Sequence, residues 1–240
     1  MNHLSLAASF LFLTGPAFAV TTWVTPSGAA NSNVNFPGGS TYSNNFGIVF
    51  KTGSAGPFSM DWLTLGLNSS SVTSGPTVSL KVALRDATSS TAYSGVAGST
   101  EYALDTVSFT LPGTTATNFN LELDFADLPN VSAYELLANT AYALLFYAPS
   151  HSIGFQRRTG HANGTTNNYY TTTEGFAVLD TFRNNSANYQ NNTTSFPSLA
   201  ISFGGTSAVP EPGQSVALTA FLASSLLLRA RRRPLPGRSH

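Results

Sequence analysis

Tyr169, Tyr170 and Tyr189 stand in a stretch crowded with asparagine and threonine, including Asn167, Asn168, Asn188 and Asn191. Flat phenol rings offer apolar area to the faces of sugar rings, and side-chain amides and hydroxyls pair with sugar hydroxyls. The three tyrosines are therefore candidate carbohydrate contacts. Trp23 and Trp62 carry the same chemistry, but Trp62 lies in an expected strand and reads as core. Asp124 and Asp127, with Asp86 and Asp105, could lend oxygens to a calcium ion. The simpler reading makes Asp124 the outward residue of an alternating strand and Asp127 a turn residue before Pro129. Glu122 and Asp124 share one strand face, as paired carboxylates in a glycosidase can. A solvated face explains them equally well, and without an opposing wall they receive no role.

Other catalytic signatures are missing. His151 and His161 lie ten residues apart in an expected loop region, with no company that suggests a metal site. There is no Gly-x-Ser-x-Gly elbow, phosphate-binding glycine loop or His-Glu-x-x-His motif. Cysteine is absent, which removes disulfides, thiolate chemistry and cysteine-ligated metals. The expectation is a chain without cofactor or metal that is not an enzyme and holds together by packing.

Charged residues make up 9% of the chain, against roughly 25% in ordinary globular domains. Residues 20–212 hold six basic and eleven acidic side chains, and the other five arginines all follow Leu228. A mildly acidic, charge-poor domain lacks the basic footprint that phosphate contacts need, so nucleic acid is excluded as a partner. Serine, threonine and asparagine fill the surface role instead, which suits an extracellular setting among polysaccharide.

Both ends of the chain read as addresses. Leu4 to Leu13 is apolar, Gly15 and Pro16 break it, and Ala17-Phe18-Ala19 gives the small-x-small pattern of a secretory cleavage site. Residues 1–19 are read as a signal peptide, although its n-region lacks Lys and Arg. At the other end Val209-Pro210-Glu211-Pro212 is held extended by its prolines. The 16 residues Gly213 to Leu228 follow, rich in Leu and Ala with Phe221 among them. As a helix they reach roughly 24 Å, enough to span a membrane if flanking arginines snorkel. Arg229, Arg231, Arg232 and Arg233 then mark the cytoplasmic side, leaving 234–240 as a cytoplasmic tail.

Pro210-Glu211-Pro212, the short span and the arginine cluster together resemble the PEP-CTERM sorting signal of exopolysaccharide-producing Gram-negative bacteria. The resemblance implies a sorting signal over 209–233, cut near the Pro-Glu-Pro motif by a membrane-embedded exosortase. It also implies export through the inner membrane to the cell envelope, surface or matrix.

Between the two addresses, residues 20–208 must position any site. Residues 21–45 carry no apolar period and read as a loop with at most an edge strand. From Phe46 the pattern becomes period two: Phe46, Ile48 and Phe50; Leu63, Leu65 and Leu67; Val78, Leu80, Val82 and Leu84; Val107, Phe109 and Leu111; Phe119, Leu121, Leu123 and Phe125. Ala141 to Tyr147 is apolar on both faces and should be a central strand. Val131 to Ala138 fits a helical turn or a strand equally. Residues 159–196 read as long loops flanking one strand. About nine short strands separated by turn residues predict an all-β β-sandwich, jelly-roll-like in topology.

The order of features from Phe46 to Phe155, including Glu135 to Leu144, resembles the choice-of-anchor R domain. That resemblance implies a sandwich cargo and brings no biochemical activity with it. Taken together, these readings predict an exported structural or interaction protein of the cell surface or exopolysaccharide matrix. The alternative is a carbohydrate-binding module.

Overall fold

A computed structural model describes residues 20–27, 30–36, 44–69, 75–87, 100–112, 117–147, 149–158, 170–185, 189–191 and 199–207. Contacts divide the chain into two units, Val20–Val209 and a second made of Met1–Ala19 with Pro210–His240. The second unit lies outside the described residues, and with it the expected signal peptide, Val209 to Pro212 motif, apolar span and Arg229 to Arg233 cluster. Among the described residues no helix is long and apolar enough to cross a membrane.

The described residues of Val20–Val209 are mostly strand. In chain order the strands are β1 (Thr21–Pro26), β2 (Ala30–Phe36), β3 (Asn44–Lys51), β4 (Phe58–Asn68), β5 (Thr77–Asp86), β6 (Glu101–Thr110) and β7 (Asn118–Asp124). A single turn of helix, α1 (Pro129–Ala133), precedes β8 (Glu135–Leu136), β9 (Ala141–Tyr147), β10 (Ile153–Arg158), β11 (Tyr170–Thr172), β12 (Ala177–Asn185), β13 (Tyr189–Asn191) and β14 (Ile201–Ser207). They form two antiparallel sheets. One runs β11-β1-β14-β4-β10-β2, with β7 and β8 also pairing with β4; the other runs β13-β12-β3-β9-β5-β6.

The period-two residues become the inner faces. Val78, Leu80, Val82 and Leu84 on β5 are all fully buried, as are Leu63, Leu65 and Leu67 on β4. Burying a side chain of this size is worth about 1.5–3 kcal/mol. Aromatic rings join the sheets: Phe46 of β3 stacks on Phe155 of β10 at 5.1 Å, and Phe50 of β3 meets Phe203 of β14 at 4.8 Å. Strand β9 lies between β3 and β5, with Tyr142, Leu144 and Phe146 buried on one face and Ala143 and Leu145 on the other. Its two-sided apolar sequence follows from that central position.

The chain departs from its sequence reading in four places. Residues 21–45 contain two strands rather than a loop, and β1 is flanked by β11 and β14, with Trp23 and Val24 fully buried. Thr-Thr-Trp-Val-Thr has strong strand propensity, and the Gly, Ser and Asn residues around it masked that signal. Within 159–196, read as long loops flanking one strand, the described residues hold three, with β11 pairing with β1 and β13 with β12; residues 159–169, 186–188 and 192–196 lie outside the described residues. Phe125 is not an inward strand residue: β7 ends at Asp124, and Phe125 sits in the following turn at 66% exposure. Trp62, read as core, is only half-buried and belongs to the outer face of its sheet.

A β-bulge explains Trp62. Gly204 on β14 is opposite Trp62 and Gly205 is opposite Met60, so Asp61 is an extra residue on β4. An inserted residue reverses the alternation. Before the bulge Phe58 and Met60 face inward; after it Leu63, Leu65 and Leu67 do, and Trp62 and Thr64 point out.

Candidate functional site

Outward-facing Trp62 and Thr64 stand directly opposite Asp124 and Glu122 on β7. With Leu123 and Asp127 these residues line an open groove of about 420 Å³ on the outer face of the first sheet. The tryptophan lies against Gly204, where a Cβ atom would come within 2.9 Å of the indole and would also collide with the carbonyl oxygen of Thr21. Glycine at this position lets the ring and strand β1 approach together.

A turn closes one end of the groove. Asp124 accepts the backbone N–H groups of Ala126 at 2.7 Å and Asp127 at 3.2 Å, and Asp127 accepts the N–H of Asp124 at 3.1 Å. This mutual capping fixes the turn and displays Phe125 outward. Glu122, in contrast, is exposed and has no hydrogen-bond partner among the described residues. Next to Trp62, burial raises the pKa of Asp61 above the usual carboxylate value, and a hydrogen bond from Thr206 opposes the shift.

Away from the groove the same face closes. Asn68 is buried and donates to Asn118 at 2.6 Å, and buried Gln156 donates to the carbonyls of Leu67 at 2.9 Å and Phe119 at 3.1 Å. These amides are consumed in holding the strands together.

Of the three candidate tyrosines, Tyr170 alone has its side chain among the described residues. Tyr170 is buried, and its hydroxyl donates to the carbonyl of Leu199 at 2.8 Å. The little of it that stays exposed lines a small hollow with Thr172, Ala177 and Val178. The backbone of Tyr189 pairs with Asn184, and its ring, like all of Tyr169, lies outside the described residues. Trp23 is core: it is fully buried, stacks on Phe176 at 4.6 Å and donates its indole N–H to Glu174 at 3.2 Å.

The aspartates weighed as calcium ligands are dispersed. Asp124 and Asp127 cap their own turn, and Asp105 is buried against the start of α1. Among the described residues no group of three or more His, Cys, Asp or Glu side chains is gathered for a metal ion. Exposed His151 lies 3.2 Å from the Ser150 hydroxyl, which in turn accepts the N–H of Ser79; His161 lies outside the described residues.

A second cleft is lined by Tyr102, Leu104, Asn130 and Tyr134. Its rings face each other, Tyr102 stacking on Tyr134 at 4.8 Å with Tyr142 edge-on to Tyr102 at 6.0 Å. Burial first, then the charge of Asp86, raises the pKa of Tyr102; burial likewise raises that of Tyr142, whose hydroxyl accepts the N–H of Leu137 at 2.8 Å.

Of the two clefts, the one at Trp62 leaves an aromatic side chain partly exposed beside a carboxylate with no partner among the described residues. Sequence reasoning placed its acids on one face and missed its wall. The adjacent Gly204-Gly205 pair inside an apolar strand was the available signal of a bulge. No family model matches the chain, and no curated protein matches it. Among solved structures, one from Desmodium yellow mottle tymovirus is similar at 9% identity over 85% of this chain and 89% of the other, with a TM-score of 0.18, too low to support any argument about this chain.

Proposed function

We propose that this chain is an exported protein whose mature domain, residues 20–208, is delivered to the cell surface or exopolysaccharide matrix as a structural or interaction component. In this reading an exosortase cuts near Val209 to Pro212, and Arg229, Arg231, Arg232 and Arg233 hold the cytoplasmic side of the membrane before cleavage. One observation carries it: the compact unit begins at Val20 and ends at Val209, at the two junctions expected of the processed protein. Intact-mass measurement of protein recovered from the cell surface tests the reading. A mature form that starts near Val20 and ends within Val209 to Pro212 is expected, and a form that retains the arginine cluster would replace the sorting signal with a permanent anchor.

The finer fold reading is a jelly roll. It is supported by the order β2-β10-β4-β7 in one sheet and β3-β9-β5-β6 in the other, with the chain crossing between sheets from β2 to β3, β3 to β4, β4 to β5, β6 to β7, β8 to β9 and β9 to β10. Such crossings are how two Greek keys wind into one sandwich.

A second reading, the carbohydrate-binding module, is favoured by the groove at Trp62. Its half-exposed indole and hydroxyl and carboxylate groups are the chemistry that sugars require.

A further inference from the structure

We infer that the outer-face groove of Trp62, Thr64, Glu122 and Asp124 is a saccharide-binding site whose ligand is an uncharged polysaccharide, one sugar ring packing on the Trp62 indole and its hydroxyls donating to Glu122. The inference rests on the carbohydrate-binding reading and gives it a place in the fold. Three observations carry it. First, the bulge at Asp61 puts a tryptophan on the outside of a sheet, where it lines an open groove instead of joining the core. An aromatic ring and a carboxylate side by side suit a sugar, which presents C–H groups on its face and hydroxyls at its rim.

Second, the two acids that share β7 differ in what they have left to offer. Asp124 already receives the N–H groups of Ala126 and Asp127, whereas exposed Glu122 has no described partner and remains an acceptor for ligand hydroxyls. With Asp124 committed to the turn, the pair is suited to binding and not to the two-carboxylate division of labour that glycoside hydrolysis needs. Third, the same locked turn holds Phe125 outward at 66% exposure. An exposed aromatic in the turn between two groove-lining residues, Asp124 and Asp127, offers contact area to a polymer that runs on past the groove.

Charge selects the ligand. Glu122, Asp124 and Asp127 all line the groove and, among the described residues, no cationic side chain does, so an acidic polysaccharide would be repelled.

Native affinity electrophoresis of the full chain, held in a detergent without a sugar headgroup, tests this directly. The gels contain hydroxyethyl cellulose, galactomannan or dextran as neutral probes and alginate as the acidic one. Retardation by at least one neutral polymer and none by alginate is expected. Trp62→Ala and Glu122→Gln should each weaken that retardation about tenfold, the size of one stacking or charge-assisted contact, and Tyr170→Phe should leave it unchanged. Because Trp62 rests on Gly204, its removal could loosen the bulge; Glu122→Gln and Phe125→Ala, both at exposed positions, carry the same test without that risk. If retardation by a neutral polymer survives in all three variants, the site falls and the carbohydrate-binding reading stands. If no neutral polymer retards the chain, both fall. Retardation by alginate that is lost in Glu122→Gln would overturn the choice of an uncharged ligand.

Discussion

The buried carboxylate of Asp105 on β6 accepts the backbone N–H of Val131 at 2.8 Å, so a strand of one sheet caps the helix that follows β7 of the other. It also accepts the N–H of Asn130 at 3.1 Å and the Asn130 side-chain amide at 2.7 Å. Helix α1 needs this help, because Leu128 at its N-cap supplies no side-chain acceptor. Asp105→Ala should cost about 2–3 kcal/mol in urea unfolding, since it strands buried donors. Asp105→Asn should recover part of the loss, and equal stability of all three proteins would refute the capping role.

The interlocked sheets predict a second effect. Phe155 is fully buried between Phe46 at 5.1 Å and Phe146 at 5.9 Å, so Phe155→Ala should cost about 3–5 kcal/mol. Exposed Asn120→Ala on β7 should stay within about 0.5 kcal/mol. Thermal melts followed by near-ultraviolet circular dichroism compare the two.

At Gly47 a Cβ atom would come within 2.6 Å of the Leu144 carbonyl oxygen and would overlap the ring of Phe182. Gly47→Ala should therefore destabilise the domain by about 1–3 kcal/mol despite removing nothing. A neutral or raised melting temperature would show that the neighbouring strand yields to the added methyl.

Asp61 makes the stability of the bulge depend on pH. Burial raises its carboxyl pKa in the folded chain, so folding favours the protonated form. Its contribution is fully present below the unfolded value of 3.8 and is lost as pH rises through the raised folded value. Asp61→Asn should melt slightly higher than the parent at pH 7, and the two melting temperatures should converge below about pH 4. A constant offset across that range would mean that ionisation is not the cause.

Tyr170→Phe removes the hydroxyl that donates to Leu199 and should cost about 1 kcal/mol in denaturant unfolding. Unchanged stability would mean that this hydrogen bond contributes nothing net.

Much of the sandwich is legible along the chain because alternation needs only neighbours. Val78 to Leu84 and Leu63 to Leu67 declare an inner face without reference to anything distant, and the two-sided apolar run of β9 declares a central strand. The strand at Thr21 to Pro26 was harder to see, since its burial depends on pairing with β11 and β14 from the far end of the described chain. Strands β11 and β13 are three residues each, too short for a periodic signal, and exist through the partners they pair with.

The amino-acid order alone determined that the domain is all-β, acidic and free of cysteine chemistry, since composition and period two are local properties. Only the tertiary structure decided what Trp62, Tyr170 and Asp105 do. The bulge opposite Gly204 and Gly205 turned Trp62 outward, the carbonyl of Leu199 drew the Tyr170 hydroxyl inward, and the bare donors of α1 claimed Asp105. Each outcome depends on a residue at least 25 positions away, and side-chain direction in a sheet reverses with a single inserted residue.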